Sequence, residues 1–200
     1  MVLVILCCLF VFLGMYLGKK FNLKYISVNF LFGLFLINAF IQVLPFGYKS
    51  LYINYHASTF IFLILAIIIG VALMMLFDYK SDNCDDISII GFTIINSYVM
   101  YLSLDRFNLI LFIVNSLYYL FIGIYIRDGR SWISVFIGMI FGSVLKVIGS
   151  WWIGYLFAII FGIIMCFIYS ISIIVMRKKG KYCLLSLILG MFVAYLGCVL

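Results

Sequence analysis

The side chains that could do chemistry within the apolar stretches of this chain are neutral: carboxamides, hydroxyls and a thioether. Asn38 and Gln42 fall in one apolar run. Asn96, Ser97 and Met100 share a helical face in another at i, i+1, i+4 spacing, and Asn115, Ser116 and Tyr119 do so in a third. Such groups hydrogen-bond between helices at about 1 kcal/mol or less per bond, or offer an ion neutral oxygen and sulfur ligands. There is no Glu, and the six Asp (Asp78, Asp82, Asp85, Asp86, Asp105, Asp128) fall at the ends of apolar runs or between them. A side-chain proton relay at mid-depth in a membrane is therefore not expected. The single histidine, His56, is expected at the start of the third helix, as a surface group or alternatively a metal-entry ligand. Asp78, Asp82, Cys84, Asp85 and Asp86 place five potential ligands within the loop expected between the third and fourth helices, which reads as a solvated acidic loop or as a metal-binding one. No nucleophile, base and acid occur together, so neither an enzyme nor a cofactor is expected.

The elements that must position these groups are membrane helices. Hydrophobic residues make up 68% of the 200 positions and charged residues 10%, and mean hydropathy is +1.36, well outside the range of soluble domains. Lipid is the expected solvent and partner. A spanning helix needs about 20 mostly apolar residues, and an open sheet would leave its edge groups unpaired in hydrocarbon. Strand-like alternation is absent, so the fold class is an all-α integral membrane protein of the cell membrane. Punctuation by charge, Pro and loop formers predicts eight transmembrane helices, at 2–18, 28–46, 57–77, 87–104, 108–126, 131–149, 151–175 and 182–199, in a single domain covering 1–200. The first run, with no basic residue ahead of it and no small-x-small cleavage site, reads as a retained helix.

The formal charge of +7 would suggest nucleic acid in a soluble chain, but the basic residues cluster between apolar runs. Lys19, Lys20, Lys24, Lys80, Arg127, Arg130, Arg177, Lys178, Lys179 and Lys181 collect on one side, against Lys49, Arg106 and Lys146 on the other. Because basic loops stay cytoplasmic, this split places both termini outside. Gly14-x-x-x-Gly18 and Gly138-x-x-x-Gly142 are small-residue faces for packing within the bundle, a homodimer contact being the alternative. Trp151 and Trp152, beside Lys146, read as an interfacial anchor. The six cysteines carry no paired C-x-x-C motifs and read as unpaired thiols.

The segment Phe30 to Pro45, FLFGLFLINAFIQVLP, resembles the second helix of the ZIP (Zrt/Irt-like) metal transporters, whose pattern is F-x-x-G-x-x-L-x-x-x-F-x-H-x-L-P. Gly33, Leu36, Phe40, Leu44 and Pro45 match, and Gln42 stands at the family's histidine. Asp78 at the end of the third helix fits the family order. The family's fourth-helix His-Asn/Ser-x-x-Glu-Gly corresponds to Asn96-Ser97-Tyr98-Val99-Met100-Tyr101, and its fifth-helix His-x-x-x-Glu to Asn115-Ser116-Leu117-Tyr118-Tyr119. The resemblance implies a ZIP-like bundle of eight helices with both termini outside, moving a divalent, zinc-type cation by alternating access. Gln42, Asn96, Ser97, Met100, Asn115 and Tyr119 would line the path. Every aligned His is an amide and every aligned Glu is Met or Tyr, ligands poorly suited to zinc. The expectation is thus a weakened or altered site without a tight intramembrane zinc position. The alternative is a non-transporting scaffold, sensor or assembly subunit on the same fold.

Overall fold

The computed structural model describes residues 2–21, 23–80, 84–102, 109–126, 132–148, 152–177 and 181–199. Every element among them is helical: α1 (Val2–Phe21), α2 (Lys24–Asn38), a π turn (Ala39–Val43), α3 (Leu44–Tyr55), a 3₁₀ turn (His56–Ser58), α4 (Thr59–Lys80), α5 (Cys84–Leu102), α6 (Leu109–Ile126), α7 (Trp132–Ile148), α8 (Ile153–Arg177) and α9 (Lys181–Val199). Two helical stretches, Tyr25–Leu76 and Ile153–Ile173, are long and apolar enough to cross a membrane; those at Ile87–Tyr98, Phe112–Ile126, Trp132–Leu145 and Cys183–Cys198 are apolar but shorter.

Helices α1, α4, α7 and α9 each divide into a face against the bundle and an apolar face turned outward, whereas the described side chains of α5 are all at least partly covered. On α4, Leu63, Ala66, Gly70 and Met74 are buried, while Phe60, Ile61, Ile64, Leu65, Ile68 and Ile69 are exposed. On α9, Leu184, Leu185, Ile188, Leu189 and Phe192 look outward. Contiguous exposed apolar surface on this scale is alien to soluble monomers, and hydrocarbon matches it.

In a lipid surrounding, as apolar as leucine, close approach of backbones would have to hold such helices together. Four pairs dominate the packing: α1 with α6, α2 with α9, α4 with α8 and α5 with α7. Glycine sits at each crossing. A Cβ at Gly14 would overlap the Leu120 carbonyl of α6, and one at Gly123 the Val11 carbonyl of α1. Gly33 and Gly190 stand in the same relation across α2 and α9, Gly70 and Gly162 across α4 and α8. Gly138 and Gly142 lie against Thr93 and Ser97 of α5. Both glycine motifs singled out in the sequence are therefore used inside the bundle.

Two expectations are corrected. The second helix does not close at 46 with Pro45 at its end; it runs from Lys24 to Tyr55. Proline lacks an N–H and clashes with the carbonyl four residues back, and the chain absorbs this by widening to π geometry just before it, where the Leu44 N–H bonds the Ala39 carbonyl. Next, no loop spans Asp78 to Asp86. Helix α4 continues through Asp78 to Lys80 and α5 starts at Cys84, taking Cys84, Asp85 and Asp86 into its first turn. Nothing in Asp78-Tyr79-Lys80 breaks a helix, and carboxylates favour a helix N-terminus. Asp82 and the side chains of Asp78, Cys84, Asp85 and Asp86 lie outside the described residues, so the proposed loop contacts rest there. Trp152 is half-buried against the core; Trp151 and the Lys146 side chain lie outside the described residues. The remaining boundaries shift by three residues or fewer.

His56 occupies the turn joining α3 to α4, exposed and with φ of 42°, an unusual backbone for a residue with a Cβ. It carries the end of an aromatic ladder up α3, with Tyr48 against Tyr52 at 6.0 Å and Tyr52 against His56 at 5.5 Å between ring centroids.

Candidate functional site

Helices α2, α5 and α6 meet as the second, fourth and fifth helices of the sequence reading must if their polar residues are to cooperate. Aromatic rings make the junction. Phe35 of α2 lies edge-on to Phe92 of α5 at 4.2 Å, Phe92 meets Tyr118 of α6 at 4.8 Å, and Phe30 of α2 stacks on Phe121 of α6 at 3.7 Å. Phe167 of α8 completes the group, 5.3 Å from Phe35. These rings fill the space between the helices, so the polar residues form a narrow seam at the α5–α6 contact.

The seam repeats one spacing on two helices. Thr93, Asn96 and Ser97 lie at i, i+3, i+4 on α5; Asn115, Tyr118 and Tyr119 lie at i, i+3, i+4 on α6. Ser97 and Tyr119 are buried, and their hydroxyls share a hydrogen bond of 3.0 Å. The structure thus joins two of the sequence-predicted site residues directly. Asn96, half-buried, sets its carboxamide against the Tyr119 hydroxyl, an interaction short of good hydrogen-bond geometry at Nδ2. Asn115 is 4% exposed and is itself engaged in an interaction. Tyr118, 1% exposed, presents a hydroxyl that reaches no hydrogen bond of good geometry. It lies beside Thr93, whose own hydrogen goes to the Ile89 carbonyl at 2.6 Å. From α1, the Cys8 sulfur touches that of Met139 at 3.9 Å, and Cys7 is buried in the same core as Tyr119.

Helix α7 sets the depth of this seam. Gly138 and Gly142 let its backbone approach until an added Cβ would stand 2.7 Å from Thr93 Cβ and 2.6 Å from Ser97 Cβ respectively. Ser97 is therefore held between the α7 backbone on one side and Tyr119 on the other.

Gln42 belongs to a different part of the bundle. It lies half-buried in the π turn. Beside it the Phe40 carbonyl is passed over by the helix: the Leu44 N–H is taken by Ala39, and the next residue along, Pro45, has no N–H. Asn38, just before this turn, accepts a hydrogen bond from the Cys198 thiol at 3.1 Å, tying α2 to α9. The Met100 side chain lies outside the described residues.

Thr93, Tyr118 and the α1 thiols were missed by sequence reasoning. Thr93 and Tyr118 were legible in principle as the helical neighbours of Ser97 and Asn115; nothing in the sequence linked Cys7 or Cys8 to them. Among the described residues no three His, Cys, Asp or Glu side chains gather as metal ligands. The chain matches no family model, no curated protein and no solved structure.

Proposed function

We propose that the chain is an eight-helix, multi-pass membrane protein resembling the ZIP transporters, moving a divalent metal cation through a site whose ligands have become neutral. The supporting observation is the buried Ser97–Tyr119 hydrogen bond. It joins a position in the family's fourth-helix motif, Ser97, to Tyr119, which the resemblance aligns with the carboxylate of the fifth-helix motif. The outward apolar faces and the tight glycine crossings suit a bundle surrounded by lipid. In this reading the substrate binds weakly and keeps part of its hydration shell. Without a carboxylate or imidazole at depth, neutral ligands cannot offset the removal of all its water.

A second reading, a non-transporting scaffold or assembly subunit on the same fold, draws support from the ring cluster of Phe35, Phe92, Tyr118 and Phe167, which packs the helix junction with apolar surface. Uptake of zinc, manganese and cadmium into proteoliposomes separates the two. The transporter reading expects flux that saturates only at high ion concentration. It also expects measurable zinc affinity by titration calorimetry when Asn96→His, Met100→Glu, Asn115→His and Tyr119→Glu are combined. No flux of any dication, together with a folded quadruple variant that gains no affinity, leaves the scaffold.

A further inference from the structure

Helices α1 and α7 are each drawn to another neighbour. Gly14 and Gly123 bring α1 onto α6, Gly138 and Gly142 bring α7 onto α5, and α1 and α7 make little contact with each other. Between them lies an open groove of about 740 Å³, within the size range of sites that hold small molecules. Exposed Ile5, Leu9 and Phe12 form one rim, and Trp132, Phe136 and Ile140 the other. At the floor the Cys8 and Met139 sulfurs touch at 3.9 Å. Ser143 brings the one hydroxyl of the lining, and its hydrogen goes to the Ile140 carbonyl of its own helix at 2.7 Å. Whatever enters the groove therefore meets apolar surface and must itself be apolar.

The α1 rim continues as a row. Ile5, Leu9, Phe12, Tyr16 and Lys19 recur at i, i+4, i+7, i+11 and i+14, one line along a helix. Tyr16, Lys19 and Lys20 are all exposed, so along this row apolar surface gives way to a phenol and then to two cations. At 1.5 Å per residue, Ile5 to Lys19 measures about 21 Å. One bilayer leaflet with its headgroups is about 20–22 Å deep, half the full thickness. A partner's transmembrane helix would need an apolar wall of about 30 Å; Trp132 to Ser143 provides about 16 Å.

We infer that the α1–α7 groove holds an acyl chain of an anionic phospholipid whose headgroup is bound at Lys19 and Lys20. Length and charge both select this occupant: the row is one leaflet long and ends in paired cations. The lysine end is the side that the basic residues assign to the cytoplasm, whose leaflet carries the anionic lipids. A zwitterionic lipid would fill the groove equally well and gain little net attraction from the lysines. The inference rests on the bundle lying in lipid and does not depend on ion transport.

The test uses the full chain with Trp151→Phe and Trp152→Phe, which leaves Trp132 as its only tryptophan. It is reconstituted in phosphatidylcholine vesicles carrying a small fraction of either phosphatidylglycerol or phosphatidylcholine brominated in the acyl chains. Bromine quenches the fluorescence of a tryptophan that its chain touches. Brominated phosphatidylglycerol should quench Trp132 at a mole fraction roughly 10–25-fold lower than brominated phosphatidylcholine. Lys19→Gln and Lys20→Gln should each reduce this preference by about fivefold, while Lys178→Gln with Lys179→Gln leaves it unchanged. Leu9→Phe with Ile140→Phe, which fills the groove, should remove it. Equal quenching by the two lipids, or a preference that survives the double Lys19 and Lys20 variant, would overturn the inference. So would protection of Trp132 from both lipids, with cross-linking of Ile140→Cys between copies marking a second chain as the occupant. Flotation with the vesicles is scored first: a protein that does not float fails the membrane reading itself, and one that floats without lipid preference fails this inference alone.

Discussion

Replacing Gly142 by alanine should destabilise the protein, although the same change in most helices helps. Alanine is favoured over glycine in a helix by roughly 0.5–1 kcal/mol, so a neutral site would report a gain. At Gly142 the new methyl group would overlap the Ile94 carbonyl, lie 2.6 Å from Ser97 Cβ and stand 3.1 Å from the Tyr98 nitrogen. Comfortable carbon–carbon contact begins near 3.5 Å, so α7 must retreat from α5 by close to 1 Å or Ser97 must shift. Overpacking of this kind costs about 1–3 kcal/mol. Displacing Ser97 also loosens its 3.0 Å bond to Tyr119, worth about 0.6 kcal/mol in a membrane helix pair. Set against the propensity gain, the net loss is about 1–3 kcal/mol, a drop of between roughly fivefold and a hundredfold in the folding equilibrium. Reversible unfolding in mixed micelles would measure it, with Ser97→Ala as the variant that removes only the hydrogen bond and costs less. The exposed Ile140→Ala, on the outward face of the same helix, serves as the control. Stability of Gly142→Ala equal to or above that of the wild type would refute a backbone-to-backbone α5–α7 contact and with it the placement of Ser97.

Pro45→Ala restores a main-chain donor where the chain has already adapted, so it should stabilise by up to about 1 kcal/mol; a loss larger than 1 kcal/mol in the same assay would mean the π turn has another cause. Cysteine labelling in membranes should find position 178 accessible from the cytoplasm and position 52 from outside, as the distribution of basic residues requires; labelling of position 178 only from outside would invert the orientation.

The sequence by itself determined the helical class and most helix positions, because an apolar run of about 20 residues bounded by charges has one stable form in lipid. It also marked Asn96, Ser97, Asn115 and Tyr119 as groups sharing a helical face, since a period of 3.6 residues is a local property. Local patterning fails where a neighbour decides the outcome. Pro45 looked like an end and lies inside a continuous helix, because α3 packs on α8 through Gly47 and Gly154 and this tertiary contact carries the helix past the missing hydrogen bond. The acidic residues after Phe77 looked like a loop, because charge punctuates a hydropathy profile without breaking a helix. Which faces meet was beyond the sequence altogether: that Gly14 receives α6 while Gly142 receives α5, or that Ser97 finds Tyr119, is set by which pair of backbones can approach most closely. That closeness is a property of two surfaces together, and no single helix encodes it.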